Sequence, residues 1–219
     1  MCTALLVDGY LDGAYRAWAV TAAFGDNLFD AARRAAAPLG LDEAALAQLR
    51  ELGECINYNA YGESLDDLHF PPDELYRRLA PYADPLAFAR EDPAFATLRE
   101  GYAADVARAC EVSPASVDGG GAVYVLPDAA WSRRISGVFG NQLAREHPGR
   151  AHAVLVPKAD GAFTVSVRAP KAKPVGADAL CRQFPTGGGR QAAGGINHLP
   201  ADRLEAFEHA FAQAFREPA

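Results

Sequence analysis

No apolar run in this chain approaches the roughly 20 residues that a membrane-spanning helix requires, so no such helix is expected. The opening stretch, MCTALLVDGYLDG, has no basic residue and carries Asp8 and Asp12, so it does not read as a secretory signal. The four cysteines (Cys2, Cys55, Cys110 and Cys181) are far apart and form no CxxC pair. That spacing fits free thiols in a reducing cytoplasm, the expected location. The five histidines form no zinc-like cluster: His147 and His152 flank a Pro-Gly turn, His69 follows Asp66 and Asp67, and His198 and His209 stand alone. Ser132 and Ser136 lie outside any G-x-S-x-G setting, which removes support for a serine hydrolase. Neither an internal repeat nor a low-complexity tract is present.

What is present is a globular composition: 219 residues, 50% hydrophobic and 22% charged, enough for one large or two small domains. The net charge of −7 is unevenly placed. Residues 1–118 hold 20 acidic and 9 basic side chains, a net of −11, whereas residues 119–219 hold 8 and 12, a net of +4. A phosphate-bearing ligand would suit the second part.

The charge changes sign at SPASVDGGG, 113–121, whose glycines, serines and proline read as a linker between residues 1–112 and 122–219. Before it the chain reads as helices. The best is LDEAALAQLRELGECINYN, with Leu41, Leu46, Leu49, Leu52 and Ile56 along one face. Two short helices are expected at PPDELYRRLAPY and DPAFATLREGYAADVARAC. After the linker the order is β-α-β-β-α-β-α, with a hairpin turn at Lys158–Gly161. The fold class is therefore α/β: a mostly helical first part, then a small α+β domain with a mixed sheet.

TGGGRQAAGGIN, 186–197, places five glycines and Arg190 in twelve residues. It follows a helix and precedes a strand, so it is neither a P-loop nor a dinucleotide fingerprint, which run from strand to helix. Two readings stand. Successive N–H groups of Gly187, Gly188 and Gly189 could converge on an anionic oxygen, with Arg190 as a charged fork. Arg168, Lys171 and Lys173 would add positive charge. Alternatively, the glycines cap a helix and let a strand pack tightly on it. Arg133 and Arg134 either are solvated or widen a phosphate-binding face. In INYNAYGES, 56–64, Tyr58 and Tyr61 either stack on a base or pack a helix end beneath a loop. Asp26, in Gly25-Asp26-Asn27, suits a helix break.

SVRAP, ALCRQF and GGGRQAAGGIN, in this order and spacing, resemble the DHHA1 domain of the DHH phosphoesterase superfamily over about residues 119–219. The resemblance implies a domain that grips the phosphates and bases of short oligonucleotides or nucleotides. Arg168, Gly187, Gly188, Gly189, Arg190 and Gly194 would form the grip. Many members carry histidine after the glycines. Arg190 binds phosphate more strongly but cannot shuttle a proton. AVTAAFGDN resembles the last metal-binding step of a DHH domain, which makes Asp26 a candidate ligand for manganese or magnesium.

The D-x-D motif, a His-His pair and DHH itself are absent. Members carry them ahead of what is residue 1 here, so the resemblance implies that residues 1–112 are the later part of a DHH domain with connecting helices. One aspartate cannot hold two metals. The expected function is a metal-dependent phosphoesterase acting on phosphodiester or phosphomonoester bonds, incomplete as this chain unless the missing ligands come from elsewhere, for example in a homodimer. The alternatives are a non-catalytic nucleic-acid-binding module and a scaffold that binds no nucleotide.

Overall fold

A computed structural model describes residues 2–118 and 120–216. The chain divides into two compact units, residues 1–104 and 105–219, and the division falls inside one helix.

The first unit is helical: α1 (Thr3–Tyr10), α2 (Arg16–Gly25), α3 (Phe29–Ala36), α4 (Glu43–Tyr58), α5 (Pro72–Leu79), α6 (Pro85–Glu91) and the first part of α7 (Pro93–Cys110). α4 starts where Asp42 accepts a hydrogen bond from the Ala45 amide at 2.8 Å, which satisfies one of the open N–H groups of the first turn. Its apolar side is shared between two clusters. Leu49, with Leu41 and Leu46 beside it, joins Val20, Ala23, Phe24 and Ala32. Leu52 and Cys55, with Ile56, join Leu75, Phe88, Phe95 and Leu98.

α2 crosses α4 at Gly25 and Gly53. A Cβ on Gly53 would overlap the Thr21 carbonyl oxygen, and one on Gly25 would lie 2.6 Å from the Gly53 carbonyl oxygen. The two backbones can meet only because both residues lack a side chain. α6 is not anticipated by the sequence reading. Asp84 caps it through the Leu86 amide at 2.9 Å, and Asp92-Pro93 separates it from α7. α7 is not short. It continues for 18 residues, and the ring of His69 occupies the space that a Gly101 side chain would fill.

The second unit contains β1 (Ser116–Val117), β2 (Gly121–Val125), α8 (Ala130–Glu146), β3 (Ala151–Pro157), β4 (Phe163–Arg168), α9 (Ala177–Cys181), β5 (Gly187–Arg190), β6 (Ala193–Leu199) and α10 (Leu204–Ala214). The α/β class holds, and the sheet is mixed: order β1-β2-β3-β4-β6-β5, with β2 and β3 parallel and the other pairs antiparallel. Two of its strands lie where the sequence reading has none, β1 within 113–121 and β5 in the glycine segment. Lys158–Gly161 turns β3 into β4 as expected, with Gly161 at φ 83° and the Lys158 amide bonded to the Ala162 carbonyl at 2.8 Å.

Alternation along the strands separates two faces. Val123, Ala153, Leu155, Val165, Val167 and Ile196 face α9 and α10, whose Leu180, Phe207 and Phe211 complete the core. The opposite face carries α8 over β3 and β4, with Phe139 edge-on to Tyr124 at 5.4 Å. No helix among the described residues is long and apolar enough to cross a membrane.

Candidate functional site

The glycine segment is an edge strand. In an extended strand alternate N–H groups point to opposite sides, so those of Gly187, Gly188 and Gly189 do not converge on one anion. The expected concavity is replaced by a division of labour set by register.

Gly187 pairs with Ile196, and Gly189 with Gly194, on the α9 face. A Cβ on Gly187 would overlap the Cys181 carbonyl oxygen. One on Gly194 would lie 2.8 Å from both the Ala177 carbonyl oxygen and the Cys181 sulfur. Gly189 adopts φ 143°, which side chains of L-residues avoid. Gly187 and Gly194 let β5 and β6 pack flat on α9, and Gly189 lies against the β6 backbone at Ala193 and Gly194. Cys181, buried beneath them, has its thiol pushed up to about 11 by burial and by the Asp178 charge, so it is an inert packing group.

Gly188 and Gly195 pair with each other on the opposite face. Nothing lies within 4 Å of a Cβ placed on Gly188, so packing does not explain that glycine. The next row on the same face is Arg190, Ala193 and Arg168, because both arginines pair with Ala193. Two strand spacings place their backbones roughly 10 Å apart. Gly188, Gly195 and Ala193 thus form a nearly side-chain-free floor with an arginine on each side.

The two arginines differ. Arg168 is half-buried and fixed: Nε donates to Asn141 Oδ1 at 2.7 Å, Nη1 to Ser166 Oγ at 2.9 Å and Nη2 to the Gly137 carbonyl at 3.3 Å. Its side chain lies along α8, where a Cβ on Gly137 or Gly140 would meet it at ordinary contact distances of 4.0 and 3.7 Å. Arg190 is exposed, with no ion pair or side-chain hydrogen bond among the described residues. Lys171 and Lys173 are exposed in the loop after β4. Asn141, Ser166 and Gly195 escaped the sequence reading. The Ser-Val-Arg alternation could have revealed Ser166, but nothing in the sequence points to Asn141.

Other expected residues are used elsewhere. Arg134 is buried in an ion pair with Asp105, 2.8 Å from Nη2 to Oδ2, and Arg133 pairs with Asp128 at 2.6 Å. Neither is simply solvated or part of the glycine floor. Tyr58 is buried, with its hydroxyl 2.8 Å from His69 Nε2, and Asn59 Oδ1 accepts from the His69 amide at 2.9 Å. This is a helix end packed beneath a loop, and of the pair only Tyr61 is exposed.

Asp26 lies in the first unit, at the C-terminus of α2. Its exposed carboxylate has no side-chain partner among the described residues. Asn27, at φ 59°, completes the helix end as its amide bonds to the Phe24 carbonyl. Among the described residues no group of three or more His, Cys, Asp or Glu side chains could hold a metal ion. A single exposed carboxylate does not fit a two-metal centre.

No family model matches the sequence, and no curated protein matches it. Among solved structures, the DHH domain of a protein described as belonging to a family of ribosomal proteins is similar at TM-score 0.57 and 14% identity, over 94% of this chain and 52% of that one. A pGpG-specific phosphodiesterase from Vibrio is matched at TM-score 0.40 and 10% identity, over 80% of this chain and 52% of that one. At TM-score 0.57 the chain has the fold of that DHH domain. It spans about half the length of each of these two structures.

Proposed function

We propose that the second unit is the phosphate-gripping part of a DHH-type phosphoesterase, and that it binds a nucleotide or short oligonucleotide on the open face of β5 and β6. The observation that carries this reading is the pair of arginines, in register, bordering a floor of Gly188, Gly195 and Ala193. Arg190 offers an unengaged, permanently charged fork to a phosphate. Arg168, pre-oriented by Asn141 and Ser166, loses little freedom when a ligand arrives. The bare floor allows the flat face of a base or sugar to approach the backbone closely.

In this reading, hydrolysis of phosphodiester or phosphomonoester bonds needs metal ligands beyond those of this chain, with Asp26 as one of the set. A manganese or magnesium pair would supply the activated water and stabilise the leaving oxygen. The second reading is a non-catalytic nucleic-acid-binding module. It shares the binding face and is favoured by the isolation of Asp26 from other donors.

The test is the anisotropy of a labelled single-stranded RNA of a few nucleotides, titrated between about 50 and 200 mM salt. Arg190→Ala is expected to weaken binding about 10-fold or more and to lower the salt slope by about one. Unchanged affinity and slope would remove the proposed face. Manganese-dependent cleavage of the same RNA, lost in Asp26→Asn, would select the phosphoesterase over the module.

A further inference from the structure

Beyond the glycine floor, β6 carries a bulge. Val165 of β4 pairs with Ile196 and Phe163 with Leu199, so two residues of β6, Asn197 and His198, stand opposite Thr164 alone. Ile196 and Leu199 both belong to the core against α9 and α10. Alternation from Ala193 through Gly195 therefore places Asn197 on the face of the floor, and the extra residue returns Leu199 to the core.

The bulge is held from several sides. Thr186, just ahead of β5, has φ 64°, a left-handed conformation that a β-branched residue seldom adopts. In this conformation its Oγ accepts from the His198 amide at 2.9 Å, and its carbonyl accepts from the Asn197 amide at 3.5 Å. Thr164 Oγ donates to the Asn197 carbonyl at 3.5 Å, and His198 Nε2 lies 2.9 Å from Asp160 Oδ2 in the β3–β4 turn. Backbone strain of this kind is kept only where neighbours over-determine it, and it gathers at ligand sites. Both backbone groups of Asn197 are thus engaged. Its amide side chain is exposed and makes no hydrogen bond among the described residues.

Asn197 stands four residues beyond Ala193, which places it roughly 13 Å along β6 from the arginine row. With guanidinium groups reaching in from one end and an amide from the other, that length takes one nucleotide. We propose that Asn197 is the base-reading residue of the binding face. The phosphate lies between Arg168 and Arg190, the sugar over Gly188 and Gly195, and the edge of the base meets the Asn197 amide. The inference rests on the phosphate grip proposed above and gives its ligand an orientation. An amide presents a donor and an acceptor side by side, and every nucleobase offers a matching pair on its edge. Asn197 therefore detects a base with little preference among the four. A carboxylate presents acceptors only, and guanine alone has two adjacent donors on its Watson–Crick edge.

The test measures anisotropy of end-labelled RNA homotrimers of A, C, G and U, and of a stable abasic trimer, on the whole chain. The parent should bind the four homotrimers alike and about 10-fold or more tighter than the abasic trimer. Asn197→Ala should abolish most of that base-over-abasic ratio while leaving affinity for the abasic trimer unchanged. Asn197→Asp should bind all five ligands less tightly but favour guanine over uracil by about 5-fold or more. Each ratio is taken on one protein sample, so partial loss of folding cancels from it. Arg190→Ala should weaken all five ligands in proportion. If Arg190→Ala alters none of them, the phosphate grip fails and the base contact falls with it. If Arg190→Ala has its effect but Asn197→Ala keeps the base-over-abasic ratio, or Asn197→Asp brings no guanine preference, the base contact alone is overturned.

Discussion

The two units use glycine for opposite purposes. In the helical unit, Gly25 and Gly53 are where two backbones touch, and a side chain at either would force α2 and α4 apart. In the sheet unit, Gly187 and Gly194 do the same for strand on helix, but Gly188, on the other face of the same strand, touches nothing. Neither a close neighbour nor a positive φ accounts for glycine at this position. Buried polar groups, by contrast, include bonded and unbonded ones in each unit: Asp8 Oδ1 has no partner among the described residues of the first, and Arg134 pairs with Asp105 in the second. In the first unit Asn59 and Asp67 are bonded to the loop they hold. In the second, His152 is fully buried and neither ring nitrogen has a hydrogen-bond partner among the described residues.

The largest expected effect attacks the packing side of this comparison. Gly53→Val should destabilise the first unit by more than about 3 kcal/mol, because its branched side chain would enter the space of the Thr21 and Gly25 backbones. Each unit carries one tryptophan, Trp18 in the first and Trp131 in the second. Denaturant titrations of Trp18→Phe and Trp131→Phe backgrounds would therefore assign the loss. A loss seen equally by both tryptophans would mean that the units do not respond separately.

The next effect concerns acid. Burial, with Arg150 and His147 nearby, pushes the His152 imidazole down to about 4 from an ordinary value of 6.5. The unfolded chain then takes up the proton before the folded one does, so the stability of the second unit is complete above pH 6.5 and falls as pH drops toward 4. The loss is at most about 3 kcal/mol. His152→Leu should remove this slope between pH 6.5 and 4. If urea midpoints of the variant still fall as steeply as those of the parent over that range, another group is responsible.

The smallest effect sharpens the comparison. Gly188→Ala should change stability by less than about 0.5 kcal/mol, yet weaken oligonucleotide binding several-fold by raising the floor between the arginines. Gly187→Ala, one residue earlier, should destabilise the unit by about 2 kcal/mol through its clash with the Cys181 carbonyl. Equal melting temperatures for the two variants would erase the distinction between packed and open faces.

The helices of the first unit were legible because leucine spacing and local caps are written within single segments. Asp42 before α4 and the Pro-Pro-Asp-Glu start of α5 are examples. The β2–α8–β3–β4 run was legible for the same reason, since alternation and turn residues are local. β5 was not. Three glycines have no strand propensity of their own, and their extension comes from pairing with β6 across a tight turn. The arginine row was half legible: the charges were evident, but the face they share depends on register, which no single segment states. The partners of Arg134 and His198, Asp105 and Asp160, lie 29 and 38 residues away, and only folding brings them within 3 Å.

The parallel pairing of β2 with β3 has a kinetic side. Antiparallel neighbours close through short turns, but β2 and β3 cannot pair until α8 has been carried across the sheet between them. That step closes a loop of some two dozen residues before any strand contact rewards it, whereas each helix of the first unit forms its hydrogen bonds within its own segment. The second unit is therefore expected to fold more slowly than the first. During synthesis the helical unit, α1 included, emerges and can fold well before the arginine-bordered floor exists.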